Sequence, residues 1–226
     1  MEMDLLLKEV FDLAGSLICH QLPERSLMAG DLVLPVCARD MGIYAGIFTA
    51  FAYLAVMRRF GAQRPPGLAA SVGMTVMMLP MMLDGVLSYA GIIETNNTVR
   101  LFTGLFFGLP VPILLVPAAN FSVYGRNDRP VLKNWTELIV VYVAGILICA
   151  SILHGLMPYA AAGLMYVAGL LSLISRIIFT VVRRSSTGSK WRIRIATVLG
   201  SASALILLYV LSSYILQPLK EMLLAR

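Results

Sequence analysis

Six long apolar segments joined by short charged links constrain this chain of 226 residues more than any other feature. A helix needs about 20 mostly apolar residues to cross the hydrocarbon core of a bilayer, which is about 30 Å thick. The six segments are close to that length or longer, and they cover residues 41–57, 67–93, 99–119, 136–156, 160–182 and 193–216. Charged residues make up only 13% of the chain, about half the share usual in soluble domains, which excludes a water-soluble globular protein. We therefore predict an all-α fold, a polytopic bundle of about six transmembrane helices over residues 41–216, within one membrane domain over residues 1–226.

Residues 1–40 precede the bundle and divide into a helix and a polar turn. Over residues 5–18, apolar side chains recur at near-helical spacing with charged side chains between them. This pattern predicts an amphipathic helix that lies at the outer membrane interface or packs on the bundle. Pro23 then opens an irregular segment that ends at Asp40. A cleavable signal peptide begins with basic residues, whereas this segment begins with acids, so we expect the first forty residues to be retained.

The distribution of lysine and arginine over the links predicts the orientation of the bundle, because cytoplasmic links are enriched in these residues. The links after the first, third and fifth segments hold eleven cations and one acid, whereas residues 1–40 hold three cations and seven acids. We therefore predict a multi-pass protein of the cell membrane with an extracytoplasmic amino terminus. The net charge of +6 then reflects membrane orientation. Because the cations are dispersed over several links, we expect no nucleic-acid partner.

Glycine and proline positions predict local features of the spans. Gly42 with Gly46, and Gly104 with Gly108, are small-residue pairs at four-residue spacing, which favour close helix packing over phosphate binding. Pro80 interrupts the second segment and three prolines crowd the third, so we expect kinked or locally unwound helices there.

Two cysteines, a histidine and a carboxylate lie close together in the sequence before the first span. Cys37 and Asp40 are three residues apart, so a helix would place both on one face. With Cys19 and His20 they form a ligand set that suits tetrahedral zinc or another transition metal. Neighbouring residues of a helix point about 100° apart, so Cys19 and His20 can share an ion only where the backbone is irregular. A disulfide between Cys19 and Cys37, or unpaired thiols in a packed polar turn, are the alternatives.

Asp84 is an acid inside an apolar segment, where a charge is costly and normally faces a partner or a water-filled cavity. For Asp84 we consider either a catalytic role or a structural salt bridge. For His154, which ends the fourth segment, we consider either a catalytic role or a structural one as a hydrogen-bonded residue. Further polar residues on the same predicted side are candidates for binding an anionic substrate: Arg25, Arg39, Glu94, Asn97 and Arg100. The one-sided placement of all these groups favours a pocket that opens outward.

The motifs CHQLPERS (residues 19–26) and LPVCARDMGIYAG (residues 34–46) resemble a family of prokaryotic membrane proteins known as domain of unknown function 2085. The resemblance continues through LDG and ETNNTVRLFTGLFFG and covers residues 19–108. Family members usually have a second cysteine where this chain has Asp40, a departure that removes a CxxC pair but leaves a metal site possible with an oxygen ligand. The resemblance implies a shared fold and no particular activity. It also implies a shared site around Cys19, Glu24, Arg25, Cys37, Arg39, Asp84, Asn97 and Arg100.

Three classes of function fit these features. A membrane enzyme would use a metal near Cys37, a base at Asp84 or His154, and arginines that hold an anionic lipid-like head group. A small ion or solute transporter would use the acid at depth and the proline-broken spans. A noncatalytic subunit or assembly factor would dock on other membrane protein subunits through its polar turns. We favour a membrane protein with an outward-facing, metal- or ligand-binding site, and place an enzymatic role ahead of transport.

Overall fold

The structure, a computed structural model, describes residues 2–19, 21–185 and 189–216. Within these residues the chain forms eight α-helices and a short antiparallel hairpin. The helices are α1 (Glu2–Ser16), α2 (Ala38–Val56), α3 (Leu68–Tyr89), α4 (Asn97–Gly108), α5 (Pro110–Asn120), α6 (Trp135–Leu153), α7 (Tyr159–Ser185) and α8 (Lys190–Leu211). The strands are β1 (Ser26–Ala29) and β2 (Leu32–Cys37), with a 3-10 turn (Pro23–Arg25) before β1 and a π-helical turn (Ser212–Leu216) after α8.

Five helical segments in the described part of the chain are long and apolar enough to cross a membrane. They are α3, α4 together with α5, α6, α7, and α8 with its π-helical extension. Helix α2 adds 19 residues, about 28 Å at the helical rise of about 1.5 Å per residue, and carries Arg39 and Asp40 in its first turn. The predicted all-α bundle of about six spans is confirmed, and the two-stranded hairpin is a feature that the sequence pattern did not indicate.

Helix α2 lies at the centre of the bundle and packs most extensively against α4. Gly42 and Gly46 of α2 lie against the backbone of α4, and Gly104 and Gly108 of α4 lie against the backbone of α2. A Cβ atom added at Gly104 would lie 2.3 Å from the carbonyl oxygen of Arg39, far inside van der Waals contact. The predicted role of these four glycines in close helix packing is therefore confirmed.

The third span is built from two helices. Helix α4 ends at Gly108 and α5 begins at Pro110, with Leu109 between them. Proline lacks an N–H group, so it is accepted at the first position of a helix but interrupts the hydrogen bonding of a helix interior. The predicted interruption of this span is confirmed, whereas α3 continues through Pro80.

Helix α1 packs on the bundle with one face. Phe11 is only 2% exposed, and its ring contacts α7 at Gly163, where a Cβ atom would lie 2.3 Å from it. The hydroxyl of Tyr166 on α7 donates a hydrogen bond to the carbonyl oxygen of Ala14 at 2.6 Å. The opposite face of α1 leaves apolar side chains such as Leu6 exposed. The amphipathic helix predicted before the first span is confirmed, and it packs against α7.

The two ends of the bundle differ in character. The hairpin end, as we name it, contains the β-hairpin, the starts of α2 and α4 and the end of α3. The arginine end contains the links over residues 57–67 and 121–134 and the end of α7. These two links pair through the backbone at Arg64 and Pro130, and Arg183 of α7 donates to Asn120 Oδ1 at 2.7 Å. Cation-rich links that are distant in sequence thus lie together at one end.

Candidate functional site

The β-hairpin places Cys37 at the entrance of the central helix. Strands β1 and β2 are antiparallel, with Ser26 opposite Cys37 in the register. The chain turns at Gly30, whose φ of 62° is a left-handed conformation that glycine adopts without a steric penalty. Cys37 ends β2 and is also the residue that precedes the first turn of α2. Its side chain is therefore fixed by a strand on one side and a helix on the other.

The segment after α1 brings Cys19 to the same place. The side-chain amide of Gln21 donates hydrogen bonds to the carbonyl oxygens of Asp12 and Pro35, at 2.8 and 2.9 Å. These bonds join the end of α1 to β2. Cys19 Sγ accepts a hydrogen bond from the backbone N–H of Cys37 at 3.2 Å. Two thiols that are 18 residues apart in the sequence are thereby held side by side.

Cys19, Cys37 and Asp40 form one compact cluster, which we call the thiol cluster. One ligand atom from each residue, a sulfur or a carboxylate oxygen, lies within 4.8 Å of the others, and all three side chains are half-buried. Cys37 Sγ lies 3.2 Å from Asp40 Oδ2. Both cysteines are free thiols in this structure. The predicted metal ligand His20 lies outside the described residues.

The two thiols differ in acidity because one stabilises the anion of the other. The hydrogen bond from the Cys37 thiol lowers the pKa of Cys19, and the backbone N–H groups of Cys37 and Gln21 lower it further, which together outweigh burial. The same thiol–thiol hydrogen bond, followed by burial and the charge of Asp40, raises the pKa of Cys37. Cys19 is therefore the thiol of the pair that ionises first.

Arg39 and Asp84 form a buried ion pair beside the thiol cluster. Arg39 Nε donates to Asp84 Oδ2 at 3.0 Å, and a terminal guanidinium nitrogen contacts the same oxygen. Arg39 is 8% and Asp84 5% exposed. The other carboxylate oxygen, Oδ1, is buried and has no hydrogen-bond partner among the described residues. The salt bridge that we considered for Asp84 is thus formed with Arg39, and the catalytic role of Asp84 stays a prediction.

A cavity of about 310 Å³ opens at the same end, between the end of α3 and the start of α4. Three of the predicted substrate-binding residues line it, namely Arg25, Glu94 and Arg100. A fourth, Asn97, lies behind Arg100 and accepts a hydrogen bond from its guanidinium at 3.3 Å. The fifth, Arg39, is engaged by Asp84.

His154 is at the end of α6 and is exposed. None of the hydrogen bonds and ion pairs found in the described part of the chain connects it with Asp84 or with the thiol cluster. Its predicted catalytic role therefore stays a prediction. Cys149, five residues earlier in α6, is completely buried, as expected of a small packing residue.

We did not expect a role for Arg176 from the sequence, although a charge inside an apolar segment is the same signal that drew attention to Asp84. Arg176 is buried in α7 near the arginine end. Its guanidinium donates to the carbonyl oxygens of Phe60 and Val116, each at 3.3 Å. This arginine therefore links α7 to α5 and to the link that follows α2, at a distance from the thiol cluster.

Comparisons with known proteins match the part of the chain that carries these groups. A family model described as "Predicted membrane protein (DUF2085)" matches residues 19–114. An uncharacterised protein of Methanocaldococcus jannaschii is 30% identical over 111 residues, which are 49% of this chain and 69% of that protein. An uncharacterised protein of Methanothermobacter thermautotrophicus is 34% identical over 99 residues, which are 43% of this chain and 83% of that protein. No solved structure matches.

The matched residues run from Cys19 to the middle of α5 and therefore include the thiol cluster, the Arg39–Asp84 ion pair and the cavity beside Arg100. His154 and the last three spans lie beyond them. The resemblance stated from the sequence motifs is confirmed: this chain belongs to the DUF2085 family of predicted membrane proteins.

Proposed function

We propose that this membrane protein binds a transition-metal ion, zinc in the first place, through Cys19, Cys37 and Asp40. The observation that carries the proposal is the convergence of these three ligand atoms within 4.8 Å. Cys19 comes from the segment after α1, whereas Cys37 and Asp40 lie three residues apart at the junction of β2 and α2. Spacing within one helical turn accounts for the closeness of Cys37 and Asp40, but not for the approach of Cys19, which is 18 residues before Cys37.

The chemistry of the three donors favours a transition metal such as zinc over calcium or magnesium. Thiolate sulfur is a ligand of zinc, copper and iron, whereas calcium and magnesium require oxygen ligands. With bonds of about 2.0 to 2.3 Å, the ligands of a tetrahedral zinc ion lie about 3.5 Å apart. One pair is close to that spacing, since Cys37 Sγ and Asp40 Oδ2 are 3.2 Å apart, and all three ligand atoms lie within 4.8 Å of one another. Small side-chain movements would complete the site.

Metal analysis of the purified full-length protein in detergent tests the proposal. After incubation with zinc under reducing conditions, we expect about one zinc ion per chain in the natural protein and in Cys149→Ala, which removes a buried thiol elsewhere. We expect Cys37→Ser to lose the ion, because it removes one of two sulfur ligands. A zinc-free natural protein, or full zinc retention in Cys37→Ser, would contradict the proposal.

The occupant of the fourth coordination position determines whether the zinc site is structural or catalytic. Structural zinc sites have four protein ligands, whereas catalytic sites keep a position for water or substrate. His20→Ala distinguishes the two cases. If His20 is a ligand, the variant binds zinc at least tenfold more weakly; if its affinity is unchanged, the three described residues hold the ion and leave a position open for chemistry.

We further propose that the hairpin end faces away from the cytoplasm, with the amino terminus on that side. The support is the gathering of the cation-rich links at the opposite end, where Arg64 pairs with Pro130 and Arg183 binds Asn120. The metal site would then lie near the outer interface of the membrane.

A further inference from the structure

We propose that the cavity between α3 and α4 binds a phosphate-type anion through Arg100. This inference is independent of the metal site, because Cys19, Cys37 and Asp40, the metal-ligand candidates that the structure describes, do not line the cavity.

Arg100 is a buried cation without a buried counter-charge. Its side chain lines the cavity, yet the residue is only 9% exposed. Its Nε donates to Thr95 Oγ1 at 3.2 Å and a terminal nitrogen donates to Asn97 Oδ1 at 3.3 Å, and both acceptors are neutral. It forms no ion pair within the part of the chain that the structure describes. Buried Arg39 is paired with a carboxylate of α3 and half-buried Arg59 with a carboxylate of α6, whereas buried Arg176 donates to backbone carbonyl oxygens.

An arginine in this state has both the charge and the free donors for an anion. A guanidinium carries five N–H groups in a fixed plane, and the two hydrogen bonds of Arg100 leave several of them unused. A buried charge with no partner is costly, because it has lost its hydration without gaining a Coulomb partner. A ligand anion in the cavity would supply that partner.

The distribution of charged groups in the cavity favours an anion that binds at its buried part, next to Arg100. The carboxylates that line it belong to Glu24 and Glu94, and both residues are exposed to solvent at the rim. The buried charge is that of Arg100, in the first turn of α4, where the helix dipole also favours negative charge. Ser88 and Thr95 add hydroxyl groups to the wall. The buried charge of the lining is therefore positive, while its two carboxylates are exposed to solvent.

Phosphate is the anion class that this geometry fits best. Arginine binds phosphate through two parallel N–H···O bonds, which combine charge with direction. A volume of about 310 Å³ accommodates a phosphate with a small esterified group. Val86, Ile92 and Val99 belong to the end of α3, the following link and the start of α4, and their exposed apolar side chains suit the glycerol and upper acyl region of a lipid phosphate. The phosphate therefore comes from a lipid head group or from a free phosphate ester.

Binding of two probes by the purified full-length protein tests this proposal and separates the two sources. The probes are inorganic phosphate, and nanodiscs of phosphatidylcholine with or without phosphatidic acid. Saturable binding of phosphatidic acid alone assigns the site to lipid, and saturable binding of inorganic phosphate assigns it to soluble phosphate. No saturable binding of either probe would overturn the proposal.

Variants locate the binding at the cavity. We expect Arg100→Gln to weaken the bound probe at least tenfold, and Arg126→Gln, an exposed arginine of the link over residues 121–134, to leave the affinity within twofold. Arg100→Gln also removes the hydrogen bond from Arg100 to Asn97. A second variant, Ser88→Phe, is therefore needed, because it fills the cavity and retains the arginine. It should abolish binding at unchanged thermal stability. Equal affinity in the natural protein and Ser88→Phe would overturn the proposal. Cys37→Ser should still bind the probe, which separates this result from the metal site.

Discussion

Arg39 and Asp40 are neighbours in the first turn of α2 but take part in different contacts. Successive residues of a helix point about 100° apart. Arg39 therefore reaches the carboxylate of Asp84 on α3, while Asp40 lies against the thiol of Cys37. The polar residues of this turn are thus divided into a buried ion pair and a group of metal-ligand type, and the two groups have different energetic roles.

The ion pair predicts a large coupling between Arg39 and Asp84. Removal of one partner leaves an uncompensated buried charge, so Asp84→Leu or Arg39→Met alone should lower the free energy of unfolding by about 3 to 5 kcal/mol. The double variant should be less destabilised than either single variant, because it buries no charge. Thermal unfolding of the purified protein in detergent measures all three. A double variant as destabilised as the sum of the two single changes would show that the residues do not act as a pair.

The sequence pointed to the important side chains more reliably than to the residues that they contact. Cys19, Cys37 and Asp40 were expected together because their residue types suit one ion. For Asp84, three arginines on the same predicted side were possible partners. The choice of Arg39 depends on the rotation of α3 against α2, which a hydropathy pattern does not contain. Arg176 carried the same signal as Asp84, a charge within an apolar run.

At the scale of elements, the close approach of α2 and α4 positions both candidate sites. Helix α2 begins at the thiol cluster and α4 begins beside Arg100, and glycines let the two backbones touch. The glycine spacing predicted this contact from the sequence. The β-hairpin was not predictable in the same way, since its strands have four and six residues, and Pro35 within β2 is a residue type that disfavours strands.

The contact between α2 and α4 predicts opposite effects for two glycine-to-alanine changes. Gly104→Ala places a methyl group against the backbone of α2, and overpacking of this kind costs about 1 to 3 kcal/mol. Gly73→Ala on α3 is the matched control, because a Cβ atom there meets nothing within 4 Å. It should be neutral or stabilise the protein by up to about 1 kcal/mol, through the better helix propensity of alanine. Thermal unfolding compares them, and equal midpoints would argue against tight packing at Gly104.

At the scale of the whole molecule, charge asymmetry is the feature from which we infer orientation. The hairpin end carries the candidate sites, and the arginine end gathers cation-rich links. Both the number of spans and this asymmetry were readable from the sequence, because hydropathy and link composition do not depend on how the helices rotate. The side of the membrane that we propose for the candidate sites is inferred from the same asymmetry.

Cysteine labelling in intact cells tests the proposed orientation. Asp31→Cys places a thiol at the exposed turn of the hairpin, and Ser122→Cys places one in an exposed link at the arginine end. A membrane-impermeant maleimide should label Asp31→Cys in intact cells and Ser122→Cys only after lysis, with the unsubstituted protein as background. The reverse labelling pattern would place the candidate sites on the cytoplasmic side.

X-ray absorption at the zinc edge of the zinc-loaded, full-length protein identifies the atoms that coordinate the ion. If Cys19, Cys37 and Asp40 hold one ion, the spectrum should contain two sulfur ligands at about 2.3 Å and oxygen or nitrogen ligands at about 2.0 Å. A zinc ion surrounded only by oxygen and nitrogen would contradict the assignment of the two thiols to a common metal centre.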